Sequence, residues 1–281
     1  MAQKLPTISV IIPVYNDERY MRGCLDAIQA QSMLPHEVIV IDNNCTDNSI
    51  HIAKEYDFVN VVTENNQGLW HARNTGFSKA SGEILLRIDA DTILDKDYSK
   101  RLCALFKHET IGAVTGYGIS RYEAIPKTSL FWSWCYFTYT HAYFGHPMLW
   151  GANMAFRRNY WQKLQSLLLA DQKSVHEDQD ITLALASIGV RADRRKELTV
   201  SVSMEGVQHV KKFHAYVRAM RVLKQLDKQS HRYTLATRLP QTSMTTRTLY
   251  WVSSAWSIYV FYMGTVVYSG YCIVKDKIFH N

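Results

Sequence analysis

The chain has 281 residues, 47% of them hydrophobic and 20% charged, and a formal net charge of +7. That size and balance fit one large domain or a domain with an appendage, and they exclude a disordered or low-complexity chain. The five cysteines (Cys24, Cys45, Cys103, Cys135, Cys272) are odd in number and form no C-x-x-C pair, which argues for a reducing compartment and against a disulfide framework or zinc site.

Thr7–Tyr15 (TISVIIPVY) is a β-branched run that reads as a first strand; it is too short, and interrupted by Pro13, to serve as a secretory leader. Met21, Cys24, Leu25 and Ile28 then recur at the spacing of one helical face. Glu37–Asp42 (EVIVID) is a second strand, followed by the polar loop DNNCTDNS and a short helix over Ser49–Tyr56. Val59–Thr63 is a third strand, with a glycine-containing loop and a helix through His71–Ala80 after it. Glu83–Asp89 (EILLRID) is a fourth, and Tyr98, Leu102, Leu105 and Phe106 mark the apolar face of the next helix. This βαβαβαβ order predicts an α/β fold with a doubly wound, mostly parallel sheet flanked by helices.

Parallel strands joined by right-handed crossovers place their C-terminal ends on one edge, where ligands of such sheets bind. Three polar strand ends meet there: Tyr15 and Asn16, Asp42 and Asn43, and the pair Asp89 and Asp91. Asp42 by itself has an ordinary alternative role, capping the turn into the next helix. Asp89 and Asp91 repel each other, no Lys or Arg lies between them, and a divalent cation is the economical counter-charge. Oxygen ligands suit Mn²⁺ or Mg²⁺, which neutralise a diphosphate and make it a better leaving group.

Further along, Ile181, Ala184, Leu185 and Ile188 follow helical spacing and put Glu177, Asp178 and Asp180 in or just before a first turn. Acidic residues are favourable against the macrodipole there, which explains some of the acidity but not three carboxylates in four positions. Between the two acidic motifs, Thr128–Phe156 runs 29 residues without Asp, Glu, Lys or Arg and is rich in aromatics. Gly145 and Pro147 argue against a simple spanning helix. Two readings stand side by side: core and aromatic walls covering the end of the sheet, or a surface that docks on a bilayer.

The basicity is local. Residues 1–206 carry 21 Lys and Arg against 23 Asp and Glu, whereas residues 207–247 carry nine basic residues against Asp227 alone. The basic stretch leads into Leu249–Val274, 26 positions without a charge. As a helix it would span about 39 Å, enough for a bilayer, with Tyr250, Trp251, Tyr268 and Tyr271 near its ends. A buried or interfacial helix is the alternative. The preceding positive charge predicts a membrane-associated protein whose preceding domain lies on the cytoplasmic face, not a nucleic-acid binder.

Six ordered blocks, SVIIPVYN (9–16), VIVIDNNCTDNS (38–49), NQGLWHARNTG (66–76), IDADTIL (88–94), GANMAFRR (151–158) and EDQDITLAL (177–185), resemble the glycosyltransferase family 2 enzymes. The resemblance runs from Thr7 to about Arg194. It implies an inverting enzyme of GT-A fold, with residues 1–206 as catalytic domain; by charge and uncharged length, 207–247 is expected to be a basic juxtamembrane helical segment and 248–281 a C-terminal membrane anchor and short tail. It implies a nucleotide-diphosphate sugar donor (UDP, GDP or dTDP) and a glycan or lipid-linked acceptor.

Pro13 and Tyr15 would line the nucleobase pocket, and Asp42 and Asn43 would hydrogen-bond the nucleotide. Asn66, Gly68 and Arg73 would help hold the nucleotide, a plain turn being the alternative for Gly68. Asp89 and Asp91 resemble the family's D-x-D, with Asp91 as direct metal ligand and Asp89 closer to the ribose or metal-bound water. Gly151, Ala152 and Asn153, with Glu177 and Asp180, would flank donor sugar and acceptor. Asp178 would be the catalytic base, Asp180 the runner-up. His209 would complete the metal shell or be an ordinary surface histidine. The Q-x-x-R-W motif of processive members is absent, favouring transfer of a single sugar over a polysaccharide synthase. A sugar-phosphate nucleotidylyltransferase would share a related sheet but lacks its glycine-rich loop here. A non-catalytic nucleotide-sugar binder would have no need of Asp178.

Overall fold

The computed structural model describes residues 5–121, 126–169, 175–203 and 210–229. The predicted alternation is present as β1 (Ile8–Val14), α1 (Glu18–Gln29), β2 (Glu37–Asp42), α2 (Ser49–Ala53), β3 (Val59–Thr63), α3 (Leu69–Lys79), β4 (Ile84–Ile88) and α4 (Tyr98–Phe106). After it come β5 (Ala113–Thr115), β6 (Gly118–Ser120), α5 (Pro126–Phe144), β7 (Asn153–Arg157), α6 (Trp161–Gln165), α7 (Glu177–Ser187), β8 (Ala192–Arg194), β9 (Val200–Val202) and α8 (Val210–Gln229).

Seven strands form one sheet in the order β3-β2-β1-β4-β7-β5-β8, and β6 pairs with β9 in a second, small sheet. The β1–β2, β2–β3, β1–β4 and β5–β8 pairings are parallel. Strand β7 runs antiparallel to both its neighbours. All seven residues of β1 are buried, as expected of a strand covered on both faces. Its alternating side chains divide the interior in two. Ile8, Val10, Ile12 and Val14 pack with α1 (Met21, Cys24, Leu25, Ile28) and α4 (Tyr98, Leu102, Phe106). Ile11, with Ile39 and Ile41 of β2, packs with Phe77 of α3, Trp161 of α6 and Ile181, Ala184 and Leu185 of α7.

The uncharged aromatic run is not one element. Its first part is α5, and its end, from Asn153, enters the middle of the large sheet as β7. An alternating apolar strand and a turn of aromatic helix have similar composition, so only long-range pairing separates them. On α5, Phe131 and Trp134 are both exposed and stack at 6.1 Å between ring centroids. Among the described residues, no helix is long and apolar enough to cross a membrane. The expected anchor at 249–274, the tail after it and His209 lie outside the described residues; α8 covers the first part of the basic segment.

Candidate active site

The C-terminal edge of the sheet opens into a cleft of about 480 Å³, lined among others by Pro13, Tyr15, Asp17, Tyr20, Asn43, Gln67, Leu69, Arg87, Asp89, Asp91 and Ser203. Three strand ends meet there because β1, β2 and β4 are parallel neighbours. Tyr15 is exposed at the mouth. Asn16 and Asn44 both adopt the left-handed region, at φ 57° and 66°, where asparagine is tolerated better than most side chains.

Asn43 is buried, and its side-chain amide donates to the Glu64 carbonyl at 2.9 Å and the Asn66 carbonyl at 2.7 Å, while its oxygen accepts the Gly68 N–H at 2.7 Å. The amide is thus a clip for residues 64–68. Gly68 sits at φ 139°, a conformation that L side chains rarely adopt, and immediately precedes α3. Asp42 accepts the Cys45 N–H at 2.9 Å, the turn-capping role, and Asn66 is exposed beside the cleft.

Arg73, expected at the nucleotide, lies elsewhere. It is wholly buried, with Nε and Nη2 donating to Asn74 Oδ1 at 3.1 and 2.7 Å and Nη1 donating to the Glu177 carbonyl at 2.9 Å. It braces the start of α7 from inside. Burial pulls its guanidinium down to about 10, with Glu177 and Asp180 opposing the fall.

The counter-charge to the D-x-D pair is partly the chain's own. Arg87 stands two residues before Asp89, and this spacing puts both on one side of the strand. Its Nη2 donates to Asp89 Oδ1 at 2.5 Å and its Nη1 to Glu177 Oε1 at 3.0 Å. Arg87 is 2% exposed, and its Nε has no hydrogen-bond partner among the described residues. The sequence holds no base between the two aspartates, yet one stands just before them. The signal for it was a lone charge in an otherwise apolar buried strand, ILLRI.

Asp91 accepts the Ser203 N–H at 3.1 Å and also the Ser203 hydroxyl, and Arg121 donates to its carbonyl. This leaves Asp89 Oδ2 and Asp91 Oδ1 open among the described residues. Two such carboxylate oxygens are the donor chemistry that Mg²⁺ or Mn²⁺ takes. No cluster of three potential ligand side chains occurs among the described residues, so phosphate and water would have to complete the shell. Partial withdrawal from water raises the Asp89 carboxyl to about 6; Arg87 opposes that rise and Asp91 adds to it.

Gly151 explains how β7 reaches this cluster. A Cβ built there would lie 1.6 Å from Arg87 Nη1, so only glycine lets the backbone pass. Its N–H donates to Asp178 Oδ2 at 2.9 Å, and the Gln179 N–H donates to Oδ1 at 2.7 Å. Asp178 is 9% exposed. Burial pushes its carboxyl up to about 7 and the neighbouring Glu177 charge adds to the rise, with the Gly151 hydrogen bond and Arg87 opposing. Burial would also raise Glu177, but Arg87 and Arg73 hold it below the usual range.

Two expected site residues prove to be scaffold. Asp180 is fully buried, and its Oδ2 accepts the Leu169 N–H at 3.0 Å. Asn153 is fully buried at the start of β7, accepting the Tyr98 hydroxyl and donating to the Leu198 carbonyl at 2.6 Å. Ala152 is buried, and its carbonyl accepts the Thr92 hydroxyl at 3.1 Å.

Residues 9–165 match the model of the family described as glycosyl transferase family 2, more than half the chain. The chain belongs to glycosyl transferase family 2. Among curated relatives, this family member is 33% identical to the putative glycosyltransferase EpsH of Bacillus subtilis over 44% of this chain and 37% of that protein. It is 40% identical to the glycosyltransferase AglE of Haloferax volcanii over 32% of each. It is 31% identical to the poly-beta-1,6-N-acetyl-D-glucosamine synthase of Staphylococcus aureus over 40% of this chain and 29% of that one. The matches thus span about a third of those relatives' length.

Among solved structures, the Pyrobaculum calidifontis mannosyltransferase PcManGT, in complex with GDP-Man and Mn²⁺, superposes with a TM-score of 0.60 at 20% identity, covering 99% of this chain and 89% of that one. S. aureus TarS 1–349 in complex with UDP-GlcNAc gives 0.58 at 17% identity, covering 82% and 70%. At these identities the likeness establishes the GT-A-like fold of this family 2 chain.

Proposed function

We propose that this chain is a nucleotide-sugar-dependent glycosyltransferase that moves a single sugar, with inversion, to a hydroxyl of a glycan or lipid-linked acceptor. The observation that carries the reading is the cleft itself. Pro13 and Tyr15, Asn43, and the Asp89/Asp91 pair converge on a cavity whose size suits a nucleotide sugar, and Arg87 ties that edge to the acidic start of α7.

Pro13 and Tyr15 flank the nucleobase, and the loop that Asn43 clips closes that side. Asp42, which caps the adjoining turn, and Asn66, on the clipped loop, would hydrogen-bond the nucleotide. Asp89 and Asp91 would hold Mn²⁺ or Mg²⁺, which would neutralise charge on the departing diphosphate. The Gly151–Ala152 turn borders the donor sugar and the acceptor. Asp178 takes the proton from the acceptor hydroxyl as that oxygen bonds to the anomeric carbon and the bond to the diphosphate breaks. Its two backbone hydrogen bonds leave lone pairs on both carboxylate oxygens, and a carboxyl near 7 is poised as a base at neutral pH. The mannosyltransferase of like fold, captured with GDP-Man and Mn²⁺, supports the choice of donor class and metal.

Residues 249–274 anchor the chain in the membrane with the catalytic domain on the cytoplasmic face. The support is their uncharged length and the basic residues before them.

The test is thermal shift with UDP-, GDP- and dTDP-sugars with and without Mn²⁺, followed by transfer assays. A donor at about 100 times its Kd should stabilise the fold by about 2.7 kcal/mol, and more with the metal than without it. Asp178→Asn should keep that stabilisation and lose transfer. No response to any donor, with or without metal, would refute the reading.

A further inference from the structure

Arg87 joins two carboxylates that lie far apart in sequence, Asp89 at the cleft edge and Glu177 at the start of α7. The first turn of α7 is held at two further points, by Arg73 on the Glu177 carbonyl and by the Gly151 N–H on Asp178. The Arg87 head is enclosed, with the Gly151 backbone pressed against Nη1 too closely for any Cβ. A planar guanidinium can hold two carboxylates in fixed directions at once, which a lysine ammonium on a flexible stem does not reproduce.

We propose that Arg87 is a positioning residue that couples occupancy of the donor cation site at Asp89 to the placement of the first turn of α7, and through it of Asp178. This role rests on the glycosyltransferase reading. A cation arriving at Asp89 repels the guanidinium and competes for the same carboxylate. The head is almost wholly buried in the cleft wall and bonded at both ends, so the displacement passes along the Asp89–Arg87–Glu177 line. Donor loading and base alignment then become one event. An error of about 1 Å in such placement costs on the order of 10²-fold in rate.

The experiment is hydrogen exchange on the full chain, wild type and Arg87→Lys, in the presence of Mn²⁺ alone and of Mn²⁺ with UDP, GDP or dTDP. In the wild type, the nucleotide that binds should slow exchange both at the strand ends of the cleft and in residues 177–187. In Arg87→Lys the cleft response and the thermal shift should persist while the response at 177–187 is lost. Its kcat should fall by about 10²-fold with little change in donor KM, a split that a merely structural role would not produce. Should Arg87→Lys fail to fold, Glu177→Gln cuts the other end of the link and should show the same selective loss.

Equal responses at 177–187 in wild type and variant, or an unchanged kcat in Arg87→Lys, would overturn the coupling. So would a wild type that binds Mn²⁺ and nucleotide with no response in α7. A wild type that responds to no nucleotide would overturn the glycosyltransferase reading, and this role with it.

Discussion

Replacing Gly151 with alanine adds one methyl group at the most crowded point of the site. The new Cβ would stand 1.6 Å from Arg87 Nη1, 2.9 Å from Cζ and 3.3 Å from Glu177 Oε1. Ordinary contact begins at 3.4 Å, so the guanidinium must retreat by roughly 1.8 Å. Arg87 Nη1 is bonded to Glu177 at 3.0 Å, and a retreat of that size breaks the bond. Overpacking alone costs about 1–3 kcal/mol, and breaking a buried ion pair costs about 3–5 kcal/mol. Part of the second term is recovered if Arg87 keeps Asp89, so a net loss of about 3 kcal/mol is expected. For a chain of this size, roughly 2–4 °C per kcal/mol places the fall in Tm at about 6–12 °C. Differential scanning calorimetry of the full chain, beside circular dichroism at room temperature, reads it directly. A Tm within about 2 °C of wild type would show that the loop moves aside cheaply and that Gly151 is not required by Arg87.

The remaining expectations concern the base, the scaffold and the surface. Transfer should rise with pH through about 7, because Asp178 must be ionised to accept a proton and its folded carboxyl sits there; Asp178→Asn should lower kcat by about 10²–10⁴-fold and abolish that limb. The sign for stability is opposite. A carboxyl raised above its unfolded value of 3.8 binds more protons folded than unfolded, so this group's contribution falls as pH rises from about 4 to about 7, and Asp178→Asn should flatten that part of a Tm–pH curve. Asn153→Ala should cost about 3 kcal/mol by stranding the buried Tyr98 hydroxyl and Leu198 carbonyl, with donor KM little changed, as chemical denaturation and kinetics together would show. In a chain cut after Arg238, which lacks residues 249–274, replacing both Phe131 and Trp134 by serine should weaken sedimentation with anionic vesicles without lowering Tm. Unaltered sedimentation would remove α5 from any membrane contact.

The first half of the fold was legible because its signals are local. β-branched runs ending in polar residues, and helical faces such as Met21, Cys24, Leu25 and Ile28, depend only on neighbours in sequence. Parallel crossovers then leave little freedom about which edge carries the ligands. Past α4 the strands shrink to three to five residues, and β7 hides at the end of an aromatic stretch, so no local period announced them. Among site residues, Tyr15, Asp89 and Asp91 could be placed on the cleft because they end strands. Arg73, Asn153 and Asp180 could not be separated from ligand contacts, because burial depends on what packs over a residue and not on its type.

The sequence by itself determined that a doubly wound sheet would gather acidic strand ends at one edge, since strand direction and crossover hand follow from chain order and backbone chirality. Only the tertiary structure decided what balances those acids. Arg87 meets Glu177 across a separation of 90 residues, and the meeting depends on Gly151 threading between them. Such a contact is the joint product of three elements closing on one point, and no stretch of sequence holds it alone.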